Sequence, residues 1–177
     1  MAEQRFTITS PSLAEVEELN AMWTQSWLDT YPNEEFGVPY EWVSEKISRQ
    51  TTPEGIEKRK KQIQAAAGNP DVLWRIAKDK SGKIIGVAAP HRDENVQRLG
   101  ALYVDKKYHG SGVAQALMKE ILAWADPTRP IELEVATYNE RAKAFYKKYG
   151  FEEVSGSEHL VHDKIPVVRM IRKGDKQ

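Results

Sequence analysis

The sequence contains no cysteine, no long apolar segment and no excess of charge of either sign. Without cysteine, the chain forms no disulfide, thiolate nucleophile, zinc–thiolate site or iron–sulfur cluster. Because 26 lysines and arginines balance 26 aspartates and glutamates, nothing favours nonspecific binding to nucleic acid or to anionic membranes. No apolar run approaches the ~18 residues of a membrane span, and residues 1–10 lack the apolar core of a signal peptide. These absences predict a soluble, cytoplasmic domain.

A length of 177 residues with 40% apolar side chains predicts one domain with an ordinary hydrophobic core. The chain has no internal repeat, no low-complexity segment and no shift of composition that would mark a boundary. Residues 1–177 are therefore expected to form a single domain, as a monomer or a homodimer.

Hydrophobic periodicity predicts a first part rich in helices and a second part in which strands dominate. The predicted helices cover residues 12–28, 40–49, 53–67, 111–125 and 140–149. The predicted strands cover residues 6–8, 72–78, 83–89, 96–104, 131–136, 151–160 and 164–172. The second, third and fourth strands are expected to pair as an antiparallel meander. The pattern indicates an α+β, or mixed α/β, domain with helices flanking a sheet of about seven strands.

A glycine turn follows the strand 96–104 and reads His109-Gly110-Ser111-Gly112-Val113-Ala114. Glycine allows close approach of the backbone to a ligand, and unpaired N–H groups in the first turn of a helix suit a diphosphate. The turn is not a P-loop, because no Lys-Ser or Lys-Thr follows either glycine. It is not a dinucleotide fingerprint either, because Gln115 stands where a third small residue is needed. The alternative is a tight turn into a helix with no ligand.

A second motif occupies residues 131–151, where a strand leads to Asn139 and a helix ends at Gly150-Phe151. With the glycine turn, this motif resembles the GNAT superfamily of acetyl-coenzyme A (acetyl-CoA) dependent N-acetyltransferases. The family pattern Arg/Gln-x-x-Gly-x-Gly/Ala aligns on residues 109–114. Its later pattern, Asn-x-x-Ala-x-x-Phe/Leu-Tyr-x-x-x-Gly-Phe, is matched by Asn139, Ala142, Phe145, Tyr146, Gly150 and Phe151. The resemblance covers about residues 72–154. His109 departs from the family's Arg or Gln and is alternatively an ordinary exposed histidine.

The resemblance implies a mostly antiparallel sheet splayed between its fourth and fifth strands, with acetyl-CoA as cosubstrate and no metal. The backbone of Leu102 and Val104 would bind the pantetheine amides, and the amides of residues 110–115 would bind the pyrophosphate. Asn139 would bond the pantetheine, cap its helix, or do both. The implied cofactor-binding residues are Leu102, Tyr103, Val104, His109, Gly110, Ser111, Gly112, Val113, Ala114, Gln115, Asn139 and Tyr146. Candidates for the nucleotide phosphates are Lys106, Lys107, Lys143 and Lys147.

Two side chains are the expected catalytic groups. Tyr146 matches the family's tyrosine acid, and a phenol with a reference pKa near ~10 keeps its proton at neutral pH. Glu134 lies in a Leu-Glu-Val setting similar to that of the base in some family members that acetylate protein amino termini. The alternatives are that Glu134 only faces solvent, or that the base acts through water or is Glu34, Glu35 or Tyr31.

The acceptor amine is expected to meet the loop after the first long helix, where Trp27, Tyr31, Glu34 and Glu35 form an aromatic and acidic segment. Such a lining suits a cationic amine. The segment also looks similar to bacterial polyamine acetyltransferases. Tyr138 and the hairpin residues His159 and His162 are candidates for the opposite wall. No third ligand accompanies the two histidines, so a solvated hairpin is preferred to a metal site. The alternative functions are acetylation of a protein or peptide amino terminus, and noncatalytic sensing of acyl-CoA.

Overall fold

Eight strands form one sheet in the computed structural model, which describes residues 6–175. The strands are β1 (Phe6–Thr9), β2 (Arg75–Asp79), β3 (Ile84–Arg92), β4 (Gln97–Val104), β5 (Ile131–Ala136), β6 (Phe151–Glu153), β7 (His159–Val161) and β8 (Ile165–Arg172). The helices are α1 (Val16–Thr30), α2 (Tyr40–Ser48), α3 (Pro53–Ala66), α4 (Val113–Trp124) and α5 (Glu140–Lys147). Short 3₁₀ turns cover residues 13–15, 34–36, 49–51 and 106–108. The predicted mixed fold is thus confirmed.

One predicted strand differs from the structure. The segment 151–160 was expected to be continuous, but it forms β6 and β7 with a turn between them. Gly156 adopts a left-handed backbone with φ of +72° in this turn, and the Ser157 amide donates to the Val154 carbonyl at 3.2 Å. The segment Ser155-Gly156-Ser157 is a typical turn sequence, and the prediction of one strand over 151–160 did not take it into account. The sheet therefore has eight strands where about seven were expected.

The sheet has the order β1-β2-β3-β4-β5-β8-β6, and β7 lies beside β8 on the same edge as β6. Neighbouring strands are antiparallel except β4 and β5, which are parallel. Strand β8 pairs with the whole of β5, from Ile131 opposite Arg172 to Ala136 opposite Val167. The antiparallel β8 thus fixes β5 firmly on one edge only.

The parallel pair separates soon after it begins. Two residue pairs join β4 to β5, Gln97 with Ile131 and Arg98 with Glu132, and the pairing ends there within the described residues. Gln97 is fully buried at this junction, where its side-chain amide donates to the carbonyls of Asp126 and Arg129 and accepts from the Asp126 amide. These hydrogen bonds hold the loop before β5 against the first residue of β4, so the two strands are fastened at one end and open at the other.

Helices cover both faces of the sheet, because buried residues of β3 alternate between two clusters. Ile85 packs with residues of α4, and Ile84 and Val87 pack with residues of α1. Gly86 allows the close approach of α4, since a Cβ atom there would lie 3.1 Å from both Leu117 Cδ1 and Val113 Cγ1. No helix within residues 6–175 combines the length and the apolar character needed to cross a membrane.

Candidate active site

A cavity of about 750 Å³ opens where β4 and β5 separate. Its volume lies in the range of roughly 300–1,000 Å³ that is usual for small-molecule sites. Strands β4 and β5 form its floor, and α1, α5 and the β7–β8 hairpin contribute the walls. Among the residues singled out from the sequence, those that line it are Trp27, Tyr31, Leu102, Tyr103, Val104, His109, Glu134, Asn139, Tyr146, His159 and His162. The splayed strands therefore bring together residues that are up to 135 positions apart, from Trp27 to His162.

Other predicted site residues lie outside this lining. Glu34 and Glu35 are exposed on the 3₁₀ turn 34–36, which ends at Gly37. The amides of residues 110–115 belong to the turn beside the cavity and do not line it, and neither do Tyr138 or the lysines 106, 107, 143 and 147. Three of these lysines have carboxylate partners: Lys106 pairs with Asp29, Lys143 with Glu140 and Glu153, and Lys147 with Glu153. Among residues 6–175, no three histidine, aspartate or glutamate side chains approach closely enough to hold a metal ion.

The first strong feature of the cavity is Tyr146, a buried side chain that is part of the lining. The side chain comes from α5, is 8% exposed, and packs its ring against Phe145 and Phe151 with centroid distances of 5.6 and 5.8 Å. Burial raises the pKa of Tyr146 well above its usual value, with a smaller contribution from Tyr31. The phenol consequently keeps its proton at neutral and mildly alkaline pH, and it can donate that proton into the cavity.

Glu134 lies on the opposite face of β5 from Leu133 and Val135, as alternation predicts. Its Oε1 atom lies 3.0 Å from Nε2 of His159, and the other ring nitrogen, Nδ1, lies 3.0 Å from the Ser157 carbonyl. A carbonyl only accepts, so Nδ1 carries a proton and donates. Nε2 then forms a charged hydrogen bond with the carboxylate when the ring also carries its second proton. His159 of β7 is therefore a partner that orients Glu134 when the ring is doubly protonated.

A set of tyrosines closes the wall of the cavity next to α1. The hydroxyls of Tyr31 and Tyr103 are 3.0 Å apart, and the Tyr138 hydroxyl donates to the Tyr31 carbonyl at 2.5 Å. Burial is the main cause that raises the pKa of Tyr31 well above 10, and burial likewise raises the pKa of Tyr103 to about 12. A proton acceptor would have to be a phenolate at working pH, so this environment disfavours Tyr31 as the base.

Three aromatic side chains of the cavity lining lie close to one another. The Trp27 ring lies 4.7 Å from Tyr31 in an edge-to-face arrangement and 5.9 Å from His162. His162 and Asp163 both have positive φ, 52° and 60°, in the turn between β7 and β8. Left-handed backbone costs a non-glycine residue roughly 1–2 kcal/mol. This turn directs His162 towards Trp27, and histidine and aspartate are residue types that adopt left-handed backbone more often than most, a signal that the sequence prediction did not use.

The glycine turn has a conformational reason for both of its glycines. Gly110 and Gly112 have φ of 78° and 93°, and Gly112 is the residue immediately before α4. A Cβ atom at Gly110 would meet no atom within 4 Å, so the space over this residue is open to the surface. The Ser111 hydroxyl donates to the Tyr108 carbonyl and fixes the turn from the inside. The backbone of this turn therefore requires glycine at both positions, and the open space over Gly110 leaves room for a ligand.

His109 does more than the sequence suggested. Its Nε2 atom lies 3.0 Å from the Val104 carbonyl, which was expected to be available to a ligand, and its Nδ1 atom contacts Nη1 of Arg141. Burial, followed by the charge of Arg141, lowers the pKa of His109. Arg141 lines the cavity and had no signal beyond its place two residues after Asn139. Three more basic side chains in the lining were also missed: His91, Arg98 and Arg169.

Asn139 has an observed structural role. Its side-chain oxygen accepts from the Ala142 amide at 3.1 Å and so caps α5, while the residue also lines the cavity. An N-cap hydrogen bond satisfies one of the amides that the first turn leaves unpaired. The capping alternative is thus present in the structure, and it leaves the proposed contact with a ligand possible.

Curated relatives match parts of the chain. An uncharacterized N-acetyltransferase of Mycobacterium tuberculosis is 40% identical over 74 residues, which are 40% of this chain and 47% of that protein. The N-acetylaspartate synthetase of Xenopus tropicalis is 32% identical over 84 residues, 45% of this chain and 31% of that protein. The chain thus spans about half the length of the mycobacterial relative and about a third of the other.

Solved structures match over almost the whole length. The PaiA N-acetyltransferase from Thermoplasma acidophilum, in complex with coenzyme A, has a TM-score of 0.73 at 21% identity and covers 95% of this chain and 98% of its own. A chimera of the spermidine N-acetyltransferase SpeG from Vibrio cholerae and hSSAT has a TM-score of 0.64 at 13% identity and covers 96% of each chain. These identities establish the shared fold. A family model described as an acetyltransferase (GNAT) domain matches residues 32–173, most of the sequence, and the chain therefore belongs to the GNAT acetyltransferase family.

Proposed function

We propose that this protein is an acetyl-CoA-dependent N-acetyltransferase that transfers the acetyl group directly to a primary amine of a small, cationic, polyamine-like acceptor. The observation that carries the proposal is the cavity between β4 and β5, which joins an unpaired strand edge to the buried side chain of Tyr146. Membership of the GNAT family supports it, as does the coenzyme A bound by the PaiA enzyme, which has the same fold.

The free edge of β4 fits the pantetheine arm of coenzyme A. The Asp105 amide donates to the Ile85 carbonyl of β3, so alternation directs the backbone groups of Val104 and Leu102 away from β3 and towards the gap. An extended ligand with amide groups can pair with such an edge as an additional strand. The Val104 carbonyl already has one hydrogen-bond partner at this edge, the His109 ring.

The reaction that these residues support needs one acid and one base. Acetyl-CoA supplies a thioester, whose acyl carbon is open to attack by an amine and whose thiolate requires a proton on departure. The Tyr146 hydroxyl holds a proton at neutral pH and is the acid. The Glu134 carboxylate, oriented by His159, accepts a proton from the acceptor ammonium directly or through water.

The lining near α1 favours a cationic acceptor through its aromatic faces. Trp27, Tyr31 and His162 lie together in the lining, and Glu134 adds a negative charge on the floor. A ring face attracts a cation by about 0.5–2 kcal/mol. The spermidine acetyltransferase among the structures of similar fold supports the same class of acceptor. Glu34 and Glu35 lie on the exposed turn 34–36, so they would attract a cationic acceptor outside the cavity and would not contact it inside.

The proposal is tested by measuring coenzyme A release from acetyl-CoA with a panel of spermidine, spermine, aspartate and a short peptide with a free amino terminus. We expect turnover to be fastest with the polyamines. A thermal shift with acetyl-CoA but no release with any amine would instead identify a noncatalytic acyl-CoA sensor. Turnover confined to the peptide would keep the chemistry and overturn the acceptor class.

The role of the aromatic lining has its own test. Trp27→Leu should raise KM for spermidine by roughly 3- to 30-fold, the equivalent of the cation–π contribution, with little change in KM for acetyl-CoA. Trp42→Leu is the matched control, because Trp42 is a half-buried tryptophan of α2 that contacts Lys164 and does not line the cavity. Equal effects of the two substitutions on KM for spermidine would exclude the aromatic lining as the acceptor site.

A further inference from the structure

The contact between His109 and Arg141 determines which nitrogen of the imidazole carries a proton. The Val104 carbonyl can only accept a hydrogen bond, so Nε2 donates to it across 3.0 Å. The Arg141 guanidinium can only donate, so Nδ1 must offer its lone pair. Only the neutral ring with its proton on Nε2 meets both requirements. The lowered pKa of His109, caused first by burial and then by the charge of Arg141, agrees with this geometry.

Arg141 keeps most of its capacity to bind an anion. It is the second residue of α5, its side chain is exposed at the mouth of the cavity, and only one of its five N–H groups is directed to His109. Among residues 6–175 no carboxylate forms an ion pair with it. The two carboxylates whose charge acts on the neighbouring His109 are paired elsewhere, since Asp29 pairs with Lys106 and Asp105 pairs with Lys83.

The position of the guanidinium is set by the backbone next to the glycine turn. His109 directly precedes Gly110, so the ring that holds the guanidinium belongs to the residue at which the glycine turn begins, and the space over Gly110 itself is open. A planar guanidinium binds phosphate oxygens in a two-pronged fashion, which a lysine ammonium cannot reproduce. His109 bridges β4 to α5 and holds this group at the turn across 32 residues of sequence.

We propose that Arg141 binds the diphosphate of acetyl-CoA and that His109 positions its guanidinium for this contact. The proposal rests on the proposed function, because it assumes that acetyl-CoA is the ligand. Arg141 thereby supplies a cationic group next to the position at which the family pattern has Arg or Gln, and His109 acts through it as a positioning residue. The acyl end of the cavity, with Tyr146 and Glu134, is unaffected by this pair.

The test measures calorimetric affinities for three ligands: acetyl-CoA, acetyl-dephospho-CoA, which keeps the diphosphate but lacks the 3′-phosphate, and S-acetylpantetheine, which has no diphosphate. Arg141→Ala should weaken binding of the first two by about 10- to 100-fold, the loss usual for a hydrogen-bonded charge, and leave the third unchanged. Lys148→Ala is the matched control, because Lys148 is an exposed cation immediately after α5 that lies outside the cavity. It should leave all three affinities within about twofold.

The positioning role is tested at residue 109. His109→Leu can neither donate to the Val104 carbonyl nor accept from Arg141, so it should lose part of the affinity for acetyl-CoA and little of that for S-acetylpantetheine. His109→Gln retains one donor and one acceptor and should restore most of the loss. Thermal melting of each variant shows whether it is folded. Failure of His109→Gln to improve on His109→Leu would overturn the positioning role.

The outcomes separate this proposal from the proposed function. If Arg141→Ala weakens acetyl-CoA but not acetyl-dephospho-CoA, the guanidinium binds the 3′-phosphate and the diphosphate assignment is wrong. If Arg141→Ala binds all three ligands as the parent protein does, the assignment is also wrong, while the parent's binding of acetyl-CoA leaves the proposed function standing. If the parent protein does not bind acetyl-CoA, both proposals fail.

Discussion

Replacing Tyr146 by Phe removes one oxygen atom and should separate catalysis from binding and stability. The ring contacts with Phe145 and Phe151, at 5.6 and 5.8 Å, involve the carbon atoms that both residues share. Loss of general-acid catalysis lowers a rate by about 10²- to 10⁴-fold, which corresponds to roughly 2.7–5.4 kcal/mol in the activation barrier. We therefore expect kcat to fall by this factor, with the dissociation constant of acetyl-CoA changed less than about threefold.

Stability provides the second part of this prediction. The hydroxyl is removed from a position that is already desolvated, so the free energy of unfolding should change by less than about 1 kcal/mol. In a domain of this size that corresponds to a shift of about 2–4 °C or less in Tm. Tyr149→Phe is the control, since Tyr149 is a partly buried tyrosine near the same helix that contacts Phe145 and does not line the cavity. It should leave kcat unchanged.

The pH dependence of the parent enzyme completes the argument. Because burial raises the pKa of Tyr146, the protonated phenol persists above pH 10. We therefore expect that kcat does not fall between pH 8 and pH 10 through deprotonation of Tyr146. An unperturbed phenol, with a pKa near ~10, would lose half of its donating form at pH 10. The reasoning is refuted if kcat of Tyr146→Phe stays within twofold of the parent, or if the substitution abolishes acetyl-CoA binding, which would make the residue structural.

Three further predictions concern stability. Gln97→Met removes the partner of the Asp126 amide and of the Arg129 carbonyl, whereas the Asp126 carbonyl keeps its hydrogen bond from the Arg129 amide. This change should lower the free energy of unfolding by about 2–4 kcal/mol in a urea titration, and a loss below about 1 kcal/mol would contradict the role of these hydrogen bonds. Gly86→Ala crowds α4 at 3.1 Å and should cost about 1–3 kcal/mol by the same measurement, whereas an unchanged midpoint would show that α4 moves freely. Hydrogen bonds from the hydroxyls of Ser81 and Tyr108 lower the pKa of Asp79 to about 2. The stabilisation of the folded state by ionised Asp79 is therefore complete above the unfolded pKa near ~3.9, and it is lost as the pH falls towards 2. Tyr108→Phe should therefore be less stable than the parent at pH 6, with a Tm difference that narrows between pH 4 and pH 2; a constant difference would refute the linkage.

The secondary structure followed from local patterns because the forces that form it are local. Apolar spacing identified the five helices, and Pro53 and Asn139 stand where the chain begins α3 and α5. The predicted strand over 151–160 was wrong in its continuity, because the turn at Gly156 is stabilised by pairing with β8. The glycine turn and the Asn139–Phe151 motif were sufficient to indicate the family, since both depend on residue types at fixed spacing.

The pairs of residues in the site did not follow from the sequence. Glu134 and His159 meet because β8 lies between β5 and β7, and His109 meets Arg141 because β4 and β5 separate beside α5. No local pattern encodes which strands are neighbours or how far a side chain reaches across them.

The sequence by itself determined the helices, most of the strands, the glycine turn and the family that the two motifs indicate. Each of these depends on interactions within a few residues, so the order of side chains is enough to specify them. Only the tertiary structure decided that the aromatic residues Trp27 and Tyr31 line the cavity while Glu34 and Glu35 lie outside it. It also decided that a histidine and an arginine 32 positions apart share one hydrogen bond. The physical reason is that packing across the whole sheet sets the order and separation of the strands. This packing brings distant segments together, and neither segment carries a local sequence pattern that identifies the other.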